Sequence, residues 1–172
     1  DIPQRSIDQA KTCLFDWLGC VIKGASRPHA DPAKKYVAHN LSAEQASMVG
    51  VDRKASITDA AFFNGYCGHI MEKDDVDRES ISHPATVVIP AALSVGEWKG
   101  KSGKDLLTAI VAGYEVMLRI GAAVTPAHYK IFHTISFFAM PNNDRNRKND
   151  AKYFSVGHEY MLVYFRNAER IA

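Results

Sequence analysis

Cysteine is scarce: Cys13, Cys20 and Cys67 are the three in 172 residues. Three thiols cannot all pair, and neither a Cys-x-x-Cys nor a zinc-type spacing occurs. A disulfide scaffold and a metal finger are therefore excluded, and a reducing compartment is expected. Cys13 and Cys20 lie on one face of a helix, where a free thiol packs as a small hydrophobe. Charge of one sign is also missing. Lys plus Arg number 21 against 19 Asp plus Glu, a net +2, which argues against nucleic acid or an anionic membrane as partner. No long apolar run occurs. The stretch from Val87 to Leu93, broken by Pro90, falls short of a membrane span, and no signal-peptide pattern is visible in the opening residues as given. The chain starts at Asp1 without Met and reads as part of a longer one, soluble and cytoplasmic. With 47% hydrophobic and 23% charged residues, it has the balance of a globular chain able to bury a core.

Helical periodicity is abundant. Ile7, Ala10, Leu14, Trp17, Leu18, Val21 and Ile22 recur at three-and-four spacing, predicting a helix over 6–23 with Gly24 as its stop. A second helix is expected from Pro32, with Ala33, Tyr36 and Val37 on one face. Met48 to Val51 suggests a strand-like turn. Ser56 with Asp59 makes a capping box for a third helix carrying Ala60, Phe63, Asn64 and Cys67 toward His69. Residues 87–98 are nearly all apolar or small, predicting a helix buried on most sides. Ser102 with Asp105 caps the strongest helix, from Leu106 to Ala122, and Gly113 within it implies close helix packing.

After His133 the character changes. Residues 140–150 are polar and aperiodic, and Tyr160 to Phe165 has the composition of a strand. The fold class expected is mainly α: a helical bundle-like domain over 1–136, then a linker and β-containing tail over 137–172.

Familiar motifs fail on their spacing. Gly96 to Ser102 resembles a phosphate-binding loop, but its first glycine is one residue too close and it follows a helix. Asp75 to Ser80 starts like a calcium loop, yet Ser80 stands where Gly is required and Thr86 where a bidentate Glu is required. What remains is a cluster: Glu72, Asp74 and Asp75 beside His83. An imidazole that titrates near neutrality, held by carboxylates at a helix entrance, can move protons on a substrate carbon. The same residues also read as a solvated acidic loop with His83 capping a helix. His133, after Tyr129 and Lys130, reads equally as a structural histidine, and His69 as a histidine at the edge of the core.

Asn64-Gly65, His69, Glu72 to Asp75, Ser80 to Pro84 and Val88 to Leu93 together resemble the MmgE/PrpD family. Ser102 to Leu107, Ile110 to Val116 and Phe132-His133 continue the pattern in order, and Asp16 to Cys20 is similar to its first helix. The resemblance spans about residues 5–134. It implies a helical domain, a homodimer, and lyase chemistry without cofactor or metal, by which water or CO2 leaves a di- or tricarboxylate. It also implies catalytic roles for His83, His133 and Glu72. Beside these, Asp74, Asp75 and Lys130 are read as substrate-binding, the two aspartates by positioning the loop and Lys130 as the nearby cation that a carboxylate substrate needs. Glu72 stands where the family usually has Asp, Lys73 where it has Phe, and Val76 where it has Thr. A non-catalytic interaction domain is the alternative. Lys148 to Tyr164 resembles a short segment of adenine-specific DNA methyltransferases, but the catalytic tetrapeptide and glycine-rich cofactor loop of those enzymes are absent.

Overall fold

A computed structural model describes residues 2–40 and 43–125. Asp1–Ala123 forms one compact unit and Val124–Ala172 a second, and the description is of the first. The tail features and the sequence boundary at residue 136 lie outside the described residues, as do Lys130 and His133. The unit is mainly α: α1 (Gln4–Ala25), a single 3-10 turn (Pro28–Ala30), α2 (Asp31–His39), α3 (Ile57–His69), α4 (Ala85–Trp98) and α5 (Gly103–Val124). Two short antiparallel strands, β1 (Ala46–Ser47) and β2 (Lys54–Ala55), form a hairpin between α2 and α3, pairing Ala46 with Ala55.

The α3 helix organises the unit, because α1, α2, α4 and both strands pack on it. Its N-terminus is capped by the expected Ser56–Asp59 pair: Asp59 N–H donates to Ser56 Oγ at 3.1 Å, and Ser56 Oγ donates to the Asp59 carboxylate at 2.8 Å. Such a cap stabilises a helix by about 1 kcal/mol. Its faces bury Ala60, Phe63, Asn64 and Cys67 around Trp17 and Val21 from α1 and Ile89 from α4. Each large apolar side chain taken out of water here contributes roughly 1.5–3 kcal/mol. Cys67 is free, and burial pushes its thiol up to about 12, so it is chemically inert packing. Cys20 is buried and Cys13 half-buried against the core, both unpaired as disulfides.

Close approach depends on glycines at the helix contacts. The first helix does not stop at Gly24; it runs to Ala25. Gly24 is buried instead, and any Cβ there would collide with the Cys67 carbonyl oxygen of α3. Its role is packing rather than termination. At the α3–α4 contact, a Cβ on Gly65 would come 2.9 Å from the Thr86 carbonyl oxygen. Pro90 sits inside α4 and has no N–H to bond that carbonyl, four residues back, so the freed oxygen lies against α3 at a glycine. Thr86 Oγ1 donates to the Gly65 carbonyl at 2.7 Å, tying the two helices reciprocally. Gly113 of α5 faces Val88 at a distance that leaves no room for a Cβ, which is the close helix packing its sequence position implies.

Asn64 joins the hairpin to this frame. The Val49 N–H donates to Asn64 Oδ1 at 2.7 Å, and Asn64 Nδ2 donates to the Ser47 carbonyl at 2.9 Å. The side chain is fully buried, so Asn64→Ala strands two backbone groups as well as removing the amide. The expected cost is about 3 kcal/mol, read as a lower urea midpoint at unchanged slope. A loss below about 0.5 kcal/mol would contradict this reading.

One expectation needs correction. The α4 helix is not buried on most sides: Ala85, Ile89, Pro90 and Ser94 are buried, whereas Val87, Val95 and Trp98 are exposed. Its composition is apolar all round, but α3 covers one side. The α5 helix likewise buries only Ile110 fully, with Leu106, Leu107, Val111 and Tyr114 packed at the core's edge and Val116, Ile120 and Val124 exposed. By length and composition α5 is also apolar enough to cross a membrane, which a search for uninterrupted apolar runs overlooks. Little of that apolar window is buried, and the helix carries an Arg119–Glu115 ion pair across one turn.

Candidate functional site

The loop from Ile70 to Pro84 joins the two most intimately packed helices, so its ends are fixed. His69 is the last residue of α3, and His83 stands two residues before α4. Between them the chain turns sharply. Glu72 has φ +49°, and its N–H donates to the His69 carbonyl at 2.7 Å. This left-handed conformation is uncommon for a non-glycine residue, and it turns the chain immediately before Asp74. Farther on, Asp77 and Ser82 pair through two backbone hydrogen bonds, 2.9 and 3.2 Å, around Ile81 at φ +49°. The Ser80 N–H and hydroxyl both donate to Asp77 Oδ2 at 2.7 Å, which holds that carboxyl below its usual range. Ser80 is itself buried against Gly121 of α5, where a Cβ would come within 2.5 Å of Ser80 Cβ.

The acidic stretch is not a solvated loop throughout. The Asp74 side chain has no exposed surface, and its carboxylate faces two imidazoles. His69 Nδ1 lies 2.9 and 3.0 Å from its two oxygens, and His83 Nδ1 lies 3.4 Å from Oδ2. The two rings meet edge to face with centroids 5.0 Å apart. The hydrogen bond to Asp74 holds the His69 imidazole above its ordinary value, against the opposing effect of burial. His83 Nδ1 is buried without a hydrogen-bond partner, while 38% of the side chain remains exposed. One imidazole is thus hydrogen-bonded to the carboxylate; the other lies within ion-pair distance of it and is reachable from solvent.

Asp75 has a different task. Its Oδ1 accepts the Ala85 N–H at 3.0 Å, at the start of α4, and its Oδ2 accepts the Tyr114 hydroxyl at 2.8 Å from α5. Burial pushes the Asp75 carboxyl up, while these two donors pull the other way; burial and Asp75 together drive the Tyr114 hydroxyl far up. Asp75 therefore fixes the loop to both following helices. Glu72 is exposed. Among the described residues, the Asp74 carboxylate contacts both histidines, and the Glu72 carboxylate adds a charge that favours the His69 imidazolium. His69, read from sequence as a core-edge histidine, is part of the constellation. The signal that could have found it is its place on the last turn of α3, where the acidic loop begins. Chemically, the group His69, Asp74 and His83 can relay or hold a proton, and it presents three donor atoms of the types that ligate metals.

A family model for the MmgE/PrpD N-terminal domain matches residues 1–140. A cis-aconitate decarboxylase-like protein, oryM, of Aspergillus oryzae is 30% identical over 131 residues, 72% of this chain and 27% of that protein. A cis-aconitate decarboxylase of Aspergillus terreus is 30% identical over 132 residues, 72% of this chain and 26% of that protein. The chain spans about a quarter of the length of these curated relatives.

Proposed function

The chain belongs to the MmgE/PrpD family and is a relative of its dehydratases and decarboxylases, and from that premise we propose that it supplies acid–base groups to a lyase site for a small di- or tricarboxylate. The observation that carries the reading is the buried Asp74 carboxylate facing two imidazoles, one of them open to solvent. The Asp74 charge lies 3.4 Å from His83 Nδ1, where it favours the imidazolium, and the solvent-exposed part of the His83 ring is open to exchange a proton with the substrate. In a dehydration, the base takes the proton α to a carboxylate. The carbanion's electron pair forms the double bond as the β-hydroxyl leaves, protonated to water. In a decarboxylation, the C–C bond to a carboxylate breaks, CO2 departs, and the electron pair left on carbon takes a proton from the acid. His133, catalytic by family resemblance, and Lys130, the nearby cation that a carboxylate substrate needs, lie outside the described residues. Cis-aconitate, named in the relatives, is the first substrate to test, with a homo-oligomer as the assembly.

The test follows CO2 release and loss of the unsaturated acid in purified protein and in His83→Ala. The expected result is turnover that falls by about 10²–10⁴-fold in the variant, the usual span for a positioned acid or base. Turnover of wild-type size in His83→Ala would overturn the assignment. A second reading, a non-catalytic interaction domain, is favoured by the exposed Phe15, Val116 and Ile120. It expects no turnover at all, together with self-association lost on Ile120→Lys.

A further inference from the structure

We propose that His69, Asp74 and His83 bind one divalent transition-metal ion of the zinc class. The donor atoms, one imidazole nitrogen from each histidine and a carboxylate oxygen, all lie within 4.8 Å of one another. Metal–ligand bonds of about 2.0–2.2 Å place neighbouring tetrahedral donors roughly 3.3–3.6 Å apart. The His83–Asp74 separation, 3.4 Å, falls in that span, and His69 lies at 2.9 Å from the same oxygen. Closing the set requires the two imidazoles to approach by about an ångström, a displacement that the half-exposed His83 side chain can accommodate by rotation.

A second, independent observation is His83 Nδ1, buried and lacking a hydrogen-bond partner although it points toward the carboxylate. A polar nitrogen so placed is costly unless something satisfies it. A metal ion between His83 and Asp74 does so without moving either helix. The neighbouring carboxylate does not compete, because Asp75 is committed to the Ala85 N–H and the Tyr114 hydroxyl. The donor set selects the ion: two imidazoles and one carboxylate suit zinc, cobalt or nickel, whereas magnesium and calcium require oxygen cages. The exposed side of His83 leaves the remaining coordination position to water or an anion.

Spacing alone does not join the three, because the histidines fall 14 positions apart, 83 against 69, one at the end of α3 and the other just before α4. The inference does not depend on the chain being a lyase. If it is one, the ion takes up the Asp74 carboxylate and both imidazoles that proton transfer needs, so zinc inhibits and a chelator restores turnover.

The experiment is calorimetric titration of the chelator-treated protein with Zn2+, and absorption spectroscopy with Co2+, whose d–d bands report tetrahedral ligation. One ion per chain is expected, with Zn2+ displacing Co2+. His69→Ala and His83→Ala should each weaken binding by more than about 10-fold, and Asp74→Asn by a similar factor. His29→Ala, remote in sequence and exposed, should bind as the wild type does. Far-ultraviolet circular dichroism establishes that each variant is folded. Absence of uptake overturns the proposal. So does binding that survives both His69→Ala and His83→Ala, which would assign the ion to other histidines. Zinc binding without turnover would leave this site standing and remove the lyase reading; turnover without zinc binding would do the reverse.

Discussion

Asp74→Asn is expected to lower turnover by about 10²–10⁴-fold while keeping the helical fold, because the amide preserves the volume of the carboxylate and removes its charge. Asn Oδ1 can still accept from one imidazole, but it cannot stabilise an imidazolium as a carboxylate does. A structural role alone would lower thermal stability without this kinetic loss. A second readout separates the two. The Asp74 hydrogen bond holds the His69 imidazole above its ordinary value of 6.5 in the folded chain. A raised folded-state value means that the folded chain binds this proton more tightly than the unfolded one. The contribution to stability is therefore complete below about pH 6.5 and is lost as pH rises through the folded-state value. Urea midpoints measured between pH 6 and pH 9, with a chelator present, should fall in the wild type and fall less in Asp74→Asn. Equal pH dependence in the two proteins would show that Asp74 does not hold His69.

Gly24→Ala is expected to cost about 3 kcal/mol, at the upper end for overpacking, because the obstacle is backbone on both sides. The added Cβ meets the Cys67 carbonyl oxygen, and relief requires α1 to move away from α3. Such a shift also loosens the Trp17–Gly68 contact, where a Cβ on Gly68 would come 2.6 Å from Trp17 Nε1. For a domain of this size the thermal midpoint should drop by roughly 10 °C. Gly19→Ala is the control on the same helix. Nothing lies within 4 Å of a Cβ at Gly19, so alanine should add up to about 1 kcal/mol through helix propensity. Opposite signs five residues apart cannot come from propensity alone. If both variants are stabilised, the close α1–α3 approach is wrong.

Much of the helical frame is legible in the residues. Trp17 and Val21 share a stripe that meets the core, Ser56 with Asp59 and Ser102 with Asp105 cap as their spacing predicts, and Gly113 marks a helix contact. These succeed because periodicity and capping are local. Gly24 misleads because glycine serves both as a stop and as a site of close contact, and only the partner helix distinguishes them. Residues 87–98 mislead because apolar composition states what could be buried, while coverage depends on how many neighbours reach the helix. Val87 and Val95 remain exposed for that reason.

The candidate site divides along the same line. By itself, the sequence determined that acidic residues and His83 lie in one loop between two apolar helices, and that the chain resembles a lyase family, now matched over residues 1–140. It could not assign separate tasks to adjacent carboxylates. Asp74 and Asp75 look alike as letters, yet one faces two imidazoles and the other ties down Ala85 and Tyr114. Only the tertiary structure decided this, because the sharp turn at Glu72 and the packing of α3, α4 and α5 fix which carboxylate is enclosed. The inclusion of His69 was decided in the same way, by the end of a helix meeting the loop that follows it. Local sequence sets which groups are available; long-range packing sets which are desolvated and brought within bonding distance, and the chemistry depends on the latter.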